Sequence, residues 1–314
     1  MRVFVTGGTG FVGGYVLEEL VRQGHEPVVL VRPGSEGKLP GDFRGETVSG
    51  DAFGFHMPSR CQAVIHLIGI LREFRLKGIT FEKLQFEAAK AVADRALEGG
   101  VKRFILQSAN GVRPEGTPYQ FTKFLAEEYL KSKEFEWTIF RPSYLFGDPS
   151  HPSGDVGKPE FTTTLRRSMI RLPLPAPLFF PGVNVLKAGK FRLQPIHVSH
   201  LAQGMVTALT KESSVNKTYL VGGSREFTWK EVIDIVARGA GRKKWKVPVP
   251  GWGVKLAALA LGWLPGFPIT RQQVSMLMEG NTCDSTEFYE DFFSDSSPET
   301  DLIPFDPEHL TYLS

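Results

Sequence analysis

The chain has 314 residues, 41% apolar and 23% charged, a globular composition that excludes a mostly disordered protein. No uncharged apolar run reaches the roughly 18 residues of a membrane span, and two cysteines, Cys61 and Cys283, exclude a disulfide framework or a Cys-rich metal site. The net charge of +3 hides an asymmetry: residues 272–314 hold ten acids and neither Lys nor Arg, so this tail is −10, while residues 1–271, with all 37 basic residues, are +13. Such a body suits anionic ligands, but its basic residues are spread without a basic–aromatic motif, so no nucleic acid is expected. The tail is expected to be solvated or folded back on the basic body, or else to dock another protein.

In chain order, strands are predicted at 2–6, 27–31, 63–70, 102–107, 137–141 and 217–221. Helical patterns fall between and after them at 11–23, 81–98, 119–132, 200–210 and 228–240, with Thr80 and Thr228 as candidate N-caps. Short apolar strands alternating with helices define βαβ units. The fold class expected is α/β, a Rossmann-type doubly wound parallel sheet with a smaller C-terminal lid or substrate domain. The Rossmann-type sheet domain is placed at 1–148 plus 193–222, and the lid at 149–192 plus 223–314. The start, MRVFVTGGTGFVG, enters a strand at once, so no targeting segment is expected and a cytoplasmic location is, with attachment to the inner face of a membrane as the alternative.

Residues 3–14 read VFVTGGTGFVGG, a strand, a glycine turn and a helix start. In this context Gly7 permits the tight turn, Gly10 lets the backbone approach a pyrophosphate, and Gly13 lets the helix lie close to the sheet. The helix start offers free N–H groups to the phosphates. Gly7, Thr9, Gly10, Phe11, Val12 and Gly13 are therefore assigned to cofactor binding. The second strand ends at Val31-Arg32, and no acid occupies 27–35. An acid there would hold a ribose 2′-hydroxyl, whereas an arginine accommodates a 2′-phosphate. NADP(H) is thus favoured, with NAD(H) as the alternative if Arg32 stacks on adenine. Asp51 either meets the adenine amino group or caps its own turn.

Tyr119 and Lys123 stand four apart on a predicted helix and share one face. Hydride exchange at a carbonyl carbon needs a proton at its oxygen. A phenol with a pKa near ~10 is a poor base at neutral pH unless a nearby ammonium favours the phenolate. Lys123, assisted by a nicotinamide cation, is the expected source, and Ser108, just beyond the preceding strand, is expected to orient the reacting oxygen.

With these parts in place, the sequence resembles the extended and atypical branches of the short-chain dehydrogenase/reductase superfamily. The matching segments are TGGTGFVG (6–13), HLIGI (66–70), VKRFILQSANG (101–111), the YxxxK segment, RPSYLFG (141–147) and QPIHVSHLAQGM (194–205), in family order over about residues 1–240. It is similar to the NAD-dependent epimerase/dehydratase group, and looks like the subgroup related to the NAD(P)-binding accessory subunit of respiratory complex I. The resemblance implies catalytic positions at Ser108, Tyr119 and Lys123. It also implies cofactor contacts at Leu67, Gly69, Pro142, Ser143 and Leu145. His200 departs from the Asp common in relatives, and no sugar-nucleotide clamp is readable in 149–192.

On the substrate side, prolines 173, 175, 177 and 181 exclude a helix and leave an apolar loop, read as a lid or as the entrance for a lipid or quinone. The apolar run Leu256 to Leu264 is too short to span a bilayer and is read as a lid helix or an interfacial one. Arg242, Lys243, Lys244 and Lys246 beside it form the densest basic cluster, a solvated face or a seat for anionic lipid. His56, His66, His151, His197, His200 and His309 lack metal-ligand spacing, so no metal is expected.

Three functional readings follow from these residues. The first is an NAD(P)(H)-dependent oxidoreductase, or an epimerase or dehydratase, acting at a carbonyl or hydroxyl, with an apolar substrate as one option. The second is a non-catalytic NADPH-binding accessory or assembly protein of a respiratory NADH:quinone oxidoreductase. The third, an NADP sensor, is disfavoured by the intact YxxxK. Substrate and oligomeric state, a homo-oligomer included, are left open.

Overall fold

A computed structural model describes residues 1–41, 43–151, 160–253, 271–293 and 302–314, without the side chains of 271–274. The apolar run at 256–264 and the tail acids Asp295, Glu299 and Asp301 lie outside the described residues.

Seven parallel strands form the central sheet in the order β11-β6-β5-β4-β1-β2-β3. They are β1 (Arg2–Thr6), β2 (Glu26–Val31), β3 (Glu46–Ser49), β4 (Ala63–His66), β5 (Arg103–Gln107), β6 (Glu136–Pro142) and β11 (Lys217–Val221). Connections run one way from β1 to β3 and the other way from β4 onward. The carboxyl ends of β1 and β4 therefore flank a crevice, where ligands bind in such sheets.

Alternation along β1 feeds two cores. Val3 and Val5 pack with helix α1 (Phe11–Arg22) and helix α5 (Val198–Thr207) on one face. Phe4 packs on the other face with α2 (Ala88–Glu98) and with Leu130 of α3 (Pro118–Lys131). Because both faces are covered, the strands read as near-continuous apolar runs. Predicted strand 63–70 ends at His66 instead. Its neighbour β1 turns away at Gly7, and after the Leu67 N–H bonds the Thr6 carbonyl at 3.0 Å no ladder partner is left on that side. Predicted helix 81–98 opens with a π-helical stretch, Glu82–Glu87, before α2; the Thr80 hydroxyl accepts from the Lys83 N–H as expected of a cap.

A separate apolar cluster gathers Phe146, Phe179, Trp229, Val232, Val236, Phe305 and Leu310. Helix α6 (Trp229–Gly239) supplies its centre and starts with a Thr228–Glu231 capping box. The Trp229 indole is fully buried and donates to the Pro177 carbonyl at 2.9 Å. Around it lie the short helix α4 (Phe161–Leu165) and strand β8 (Ala176–Phe180), which pairs in parallel with β13 (Lys246–Pro250). The proline-rich loop thus contains a strand. Alternate prolines forbid a helix but leave enough N–H groups for a two-stranded ribbon.

The acidic tail folds back where it is described. In the helix Thr286–Phe293, Glu287 and Asp291 pair with Lys217 at 2.8 and 3.3 Å. Glu279 pairs with Arg113 at 3.0 Å.

Candidate active site

The turn after β1 is built by close backbone approach. Gly7 has φ +79°, in the left-handed region, and a Cβ there would sit 2.9 Å from the Leu67 carbonyl carbon. A Cβ on Gly13 would sit 2.4 Å from the Gly7 oxygen and 2.5 Å from the Gly8 oxygen. Gly13 therefore seats the first turn of α1 on the loop rather than on the sheet; the glycine that meets the sheet is Gly8, whose Cβ would lie 2.6 Å from Val29 Cγ1. Gly10 is the N-cap, and no side chain caps the helix. Thr9, Phe11 and Val12 are half-buried in this turn. The first-turn N–H groups are left to an anion or water.

Helix α3 starts with a Thr117–Gln120 capping box and Pro118 in its first turn, which fixes the phase of the residues that follow. Tyr119, Lys123 and Glu127 then fall on one face. The Lys123 ammonium is buried and donates to the Gln107 carbonyl at 2.9 Å. A Cβ on Gly69 would lie 3.3 Å from its Nζ, so the bare backbone there makes room for the ammonium. Burial lowers the Lys123 pKa to about 8, against the opposing pull of Glu127. His66, 1% exposed, shares its Nδ1 with the Thr6 hydroxyl at 2.8 Å. Burial, with Lys123 second, pushes the His66 pKa down to about 3 and keeps the ring neutral.

Two buried atoms at the ends of β4 and β5, His66 Nε2 and Gln107 Oε1, lack a hydrogen-bond partner. Unsatisfied buried polar atoms are costly and mark places where a ligand or water completes the structure. Together with the glycine cradle and the uncapped helix, they make a site that fits a dinucleotide.

The Tyr119 ring is half-buried, edge-on to Phe81 at 5.6 Å between centroids, and its hydroxyl has no hydrogen-bond partner among the described residues. Burial pushes its pKa up to about 12, with no compensating pull from Lys123. This differs from the expected phenolate, because the Lys123 ammonium is held at the Gln107 carbonyl. Tyr144 packs at a tilt on Phe161, 4.4 Å between centroids, and its own pKa is raised by burial and then by Tyr119.

Ser108, expected to orient a substrate oxygen, commits its hydroxyl proton to Glu127 Oε1 instead. Glu127 is fully buried, and Arg141 clamps it through Nε at 2.9 Å and NH2 at 2.6 Å. Removing Arg141 leaves the buried carboxylate with only the longer pairing to Lys131 at 3.8 Å among the described residues. Arg141→Met is therefore expected to cost about 3–5 kcal/mol in chemical denaturation. Double replacement with Glu127→Leu should recover part of that loss.

At the other strand ends, Arg32 is exposed just past β2. Asp51 uses Oδ1 to accept from the Phe53 and Gly54 amides, both at 2.9 Å, which is the turn cap expected of it. Pro142 closes β6; the Ser143 hydroxyl donates to the Gln194 carbonyl, and half-buried Leu145 follows. His200, in the place of the family's Asp, accepts from the Ile303 N–H at 3.3 Å, while the cap of α5 is His197.

The fold thus gathers the glycine turn, Leu67–Gly69, Lys123, Tyr119 and Pro142–Ser143 near the ends of β1, β4, β5 and β6. The sequence reading did not single out Gln107, Glu127 with Arg141, or Tyr144. Glu127 was open to it, standing four residues beyond Lys123 on the same face. The Gln107 role depends on a strand end that only the fold defines.

A glycine turn opening the first helix of a parallel sheet, with a Tyr/Lys helix across the crevice, defines a Rossmann-type protein of the extended short-chain dehydrogenase/reductase kind. A family model described as NAD(P)H-binding matches residues 7–170, and the chain belongs to that family. It is 27% identical over 78% of its length to "NADH dehydrogenase [ubiquinone] 1 alpha subcomplex subunit 9, mitochondrial" of Dictyostelium discoideum, of which it spans 66%, just under two thirds. It is 28% identical over 83% of its length to a ceramide reductase of Caulobacter vibrioides, of which it spans 78%. Its fold matches the UDP-glucose 4-epimerase of Thermotoga maritima, crystallised with UDP-glucose, with a TM-score of 0.69 at 16% identity, covering 100% of this chain and 97% of that one. No helix among the described residues is long and apolar enough to cross a membrane.

Proposed function

We propose that the protein is an NADP(H)-dependent reductase acting on a carbonyl of an apolar substrate. The observation that carries this reading is the Tyr119 hydroxyl, unpartnered among the described residues, on the helix that delivers Lys123 to the crevice, where burial pushes the phenol pKa up to about 12 and so favours its protonated form. A protonated phenol is equipped to donate to a carbonyl oxygen that gains negative charge, which is the demand of reduction. The first-turn amides of α1 would hold the diphosphate, and Lys123 would hold the adjoining ribose. A nicotinamide bound there would supply the hydride. Ser108 acts at one remove: through Glu127 it fixes the face of α3 that carries Lys123 and Tyr119. The cluster around Trp229 serves as the lid on the substrate side. An apolar substrate is favoured by the aromatic surroundings of Tyr119, whose ring meets Phe81 and whose neighbour Tyr144 packs on Phe161, and a relative's name, ceramide reductase, points the same way. Incubation with NADPH deuterated at the transferring position tests the reading. With a long-chain ketone as substrate, deuterium is expected at the carbinol carbon of the alcohol product, and oxidation of NADPH without label in the product would contradict it.

The preference for NADP(H) is assigned to Arg32. Arg32→Glu is expected to weaken NADPH binding at least about tenfold and to improve NADH, since it replaces an attraction for the 2′-phosphate with a repulsion. An unchanged ratio in paired titrations would remove Arg32 from this role.

A second reading, a non-catalytic subunit of a respiratory NADH:quinone oxidoreductase, is favoured by the subunit name of the Dictyostelium relative. Recovery of the tagged chain with that complex, together with normal complex activity in a Tyr119→Phe strain, would favour it over the reductase.

A further inference from the structure

On the lid, away from the crevice, the loop from Arg171 to Pro175 leaves the π-helical turn Arg166–Ile170 and meets the segment Arg242–Trp245. Three large apolar side chains stand in solvent there: Leu172 is 44% exposed, Leu174 65% and Trp245 83%. This exposure is built into the fold. Lys244 Nζ donates to the Ile170 and Leu172 carbonyls at 3.3 and 2.5 Å, and the Ala176 N–H donates to the Trp245 carbonyl at 2.7 Å, so both segments are tied edge to edge. Prolines 173 and 175 keep the loop from coiling and burying its leucines.

Around these tips the charge has one sign. Arg171, Arg242 and Lys243 are exposed and form no ion pair with an acid among the described residues. Arg166, which donates to the Ser314 carbonyl at 2.9 Å, is depressed below the usual arginine range by partial burial and then by Arg171, Arg167 and Arg242. Lys244 is depressed by burial and then by Arg242. Fixed cations this close repel one another, and an external anionic surface would relieve that repulsion.

We propose that this face docks on an anionic lipid bilayer, with Leu172, Leu174 and Trp245 entering the headgroup boundary and Arg171, Arg242 and Lys243 meeting lipid phosphates. Tryptophan and leucine tips inside a ring of basic side chains match the interface from both sides. Apolar area enters the acyl edge, and each cation gains from the negative surface potential. Nothing in this surface depends on turnover at the crevice.

The test is co-sedimentation of the full chain with two kinds of vesicle, phosphatidylcholine alone and phosphatidylcholine with about 30% phosphatidylglycerol. Binding is expected to the second only, and to fall steeply as salt shortens the Debye length to about 3 Å at 1 M. The double variant Arg242→Glu/Lys243→Glu is expected to lower partitioning at least tenfold. Leu174→Asp with Trp245→Ser is expected to lower it comparably while leaving the thermal midpoint and nucleotide titration of the protein unchanged. Wild-type protein that stays in the supernatant at low salt overturns the proposal. So does equal binding by wild type and both variants, or binding to polyglutamate without binding to the anionic vesicles, which would mark the face as a seat for an acidic protein.

Discussion

Tyr119→Phe is expected to lower carbonyl reduction about 100- to 10,000-fold, the range of a lost general acid, while dinucleotide affinity stays unchanged. The phenol makes no hydrogen bond among the described residues, so its removal breaks no structural contact beyond the retained ring packing on Phe81. The effect therefore falls on turnover alone, as for an interaction made only in the transition state. The pH profile carries a second expectation. Burial places Lys123 at about 8, below the ordinary lysine value, so its charge is present below that pH and lost above it. For the free protein, kcat/KM should fall as pH rises through about 8 and show no rise from ionisation of Tyr119, held at about 12. A rate that climbs with pH across that range would mean that the phenolate is the working form.

Replacing Gly13 with valine is expected to abolish dinucleotide binding and to destabilise the protein by about 1–3 kcal/mol or more, as overpacking does. A Cβ there would sit 2.4 Å from one backbone oxygen and 2.5 Å from another, and neither can yield without moving the loop that presents the amides. Gly24 is the control: it has φ +74° with nothing within 4 Å of a Cβ, so Gly24→Ala pays only backbone strain. Denaturation and nucleotide titration of the two variants should separate. Both lose stability, and only Gly13→Val loses binding. Binding that survives in Gly13→Val would show that the turn is not the phosphate cradle.

The sheet was legible because its strands are buried on both faces and therefore read as apolar runs. The glycine turn was legible because its spacing carries a mechanism. The return of the acidic tail was one of the outcomes its charge block allowed, and Lys217 meets Glu287 at 2.8 Å. What the sequence left out depends on which way a side chain leaves a strand end. Ser108 lies one residue beyond β5 and turns toward α3, where Glu127 accepts its hydrogen bond. The Tyr/Lys spacing established a shared helix face but not a shared field. The Gln107 carbonyl holds the ammonium, so the phenol rises where the spacing suggested a fall. Strand β8 was hidden because prolines signal the absence of a helix more clearly than the presence of an edge ribbon.

Bare first-turn amides, Arg32 and two unsatisfied buried atoms are proposed to receive a nicotinamide dinucleotide. Calorimetric titration of the nucleotide-free protein tests this most directly. Saturable binding of one NADPH per chain is predicted, tighter than NADH, with a thermal midpoint that climbs with ligand concentration as linkage requires. Absence of both heat and thermal shift with either nucleotide would contradict the account.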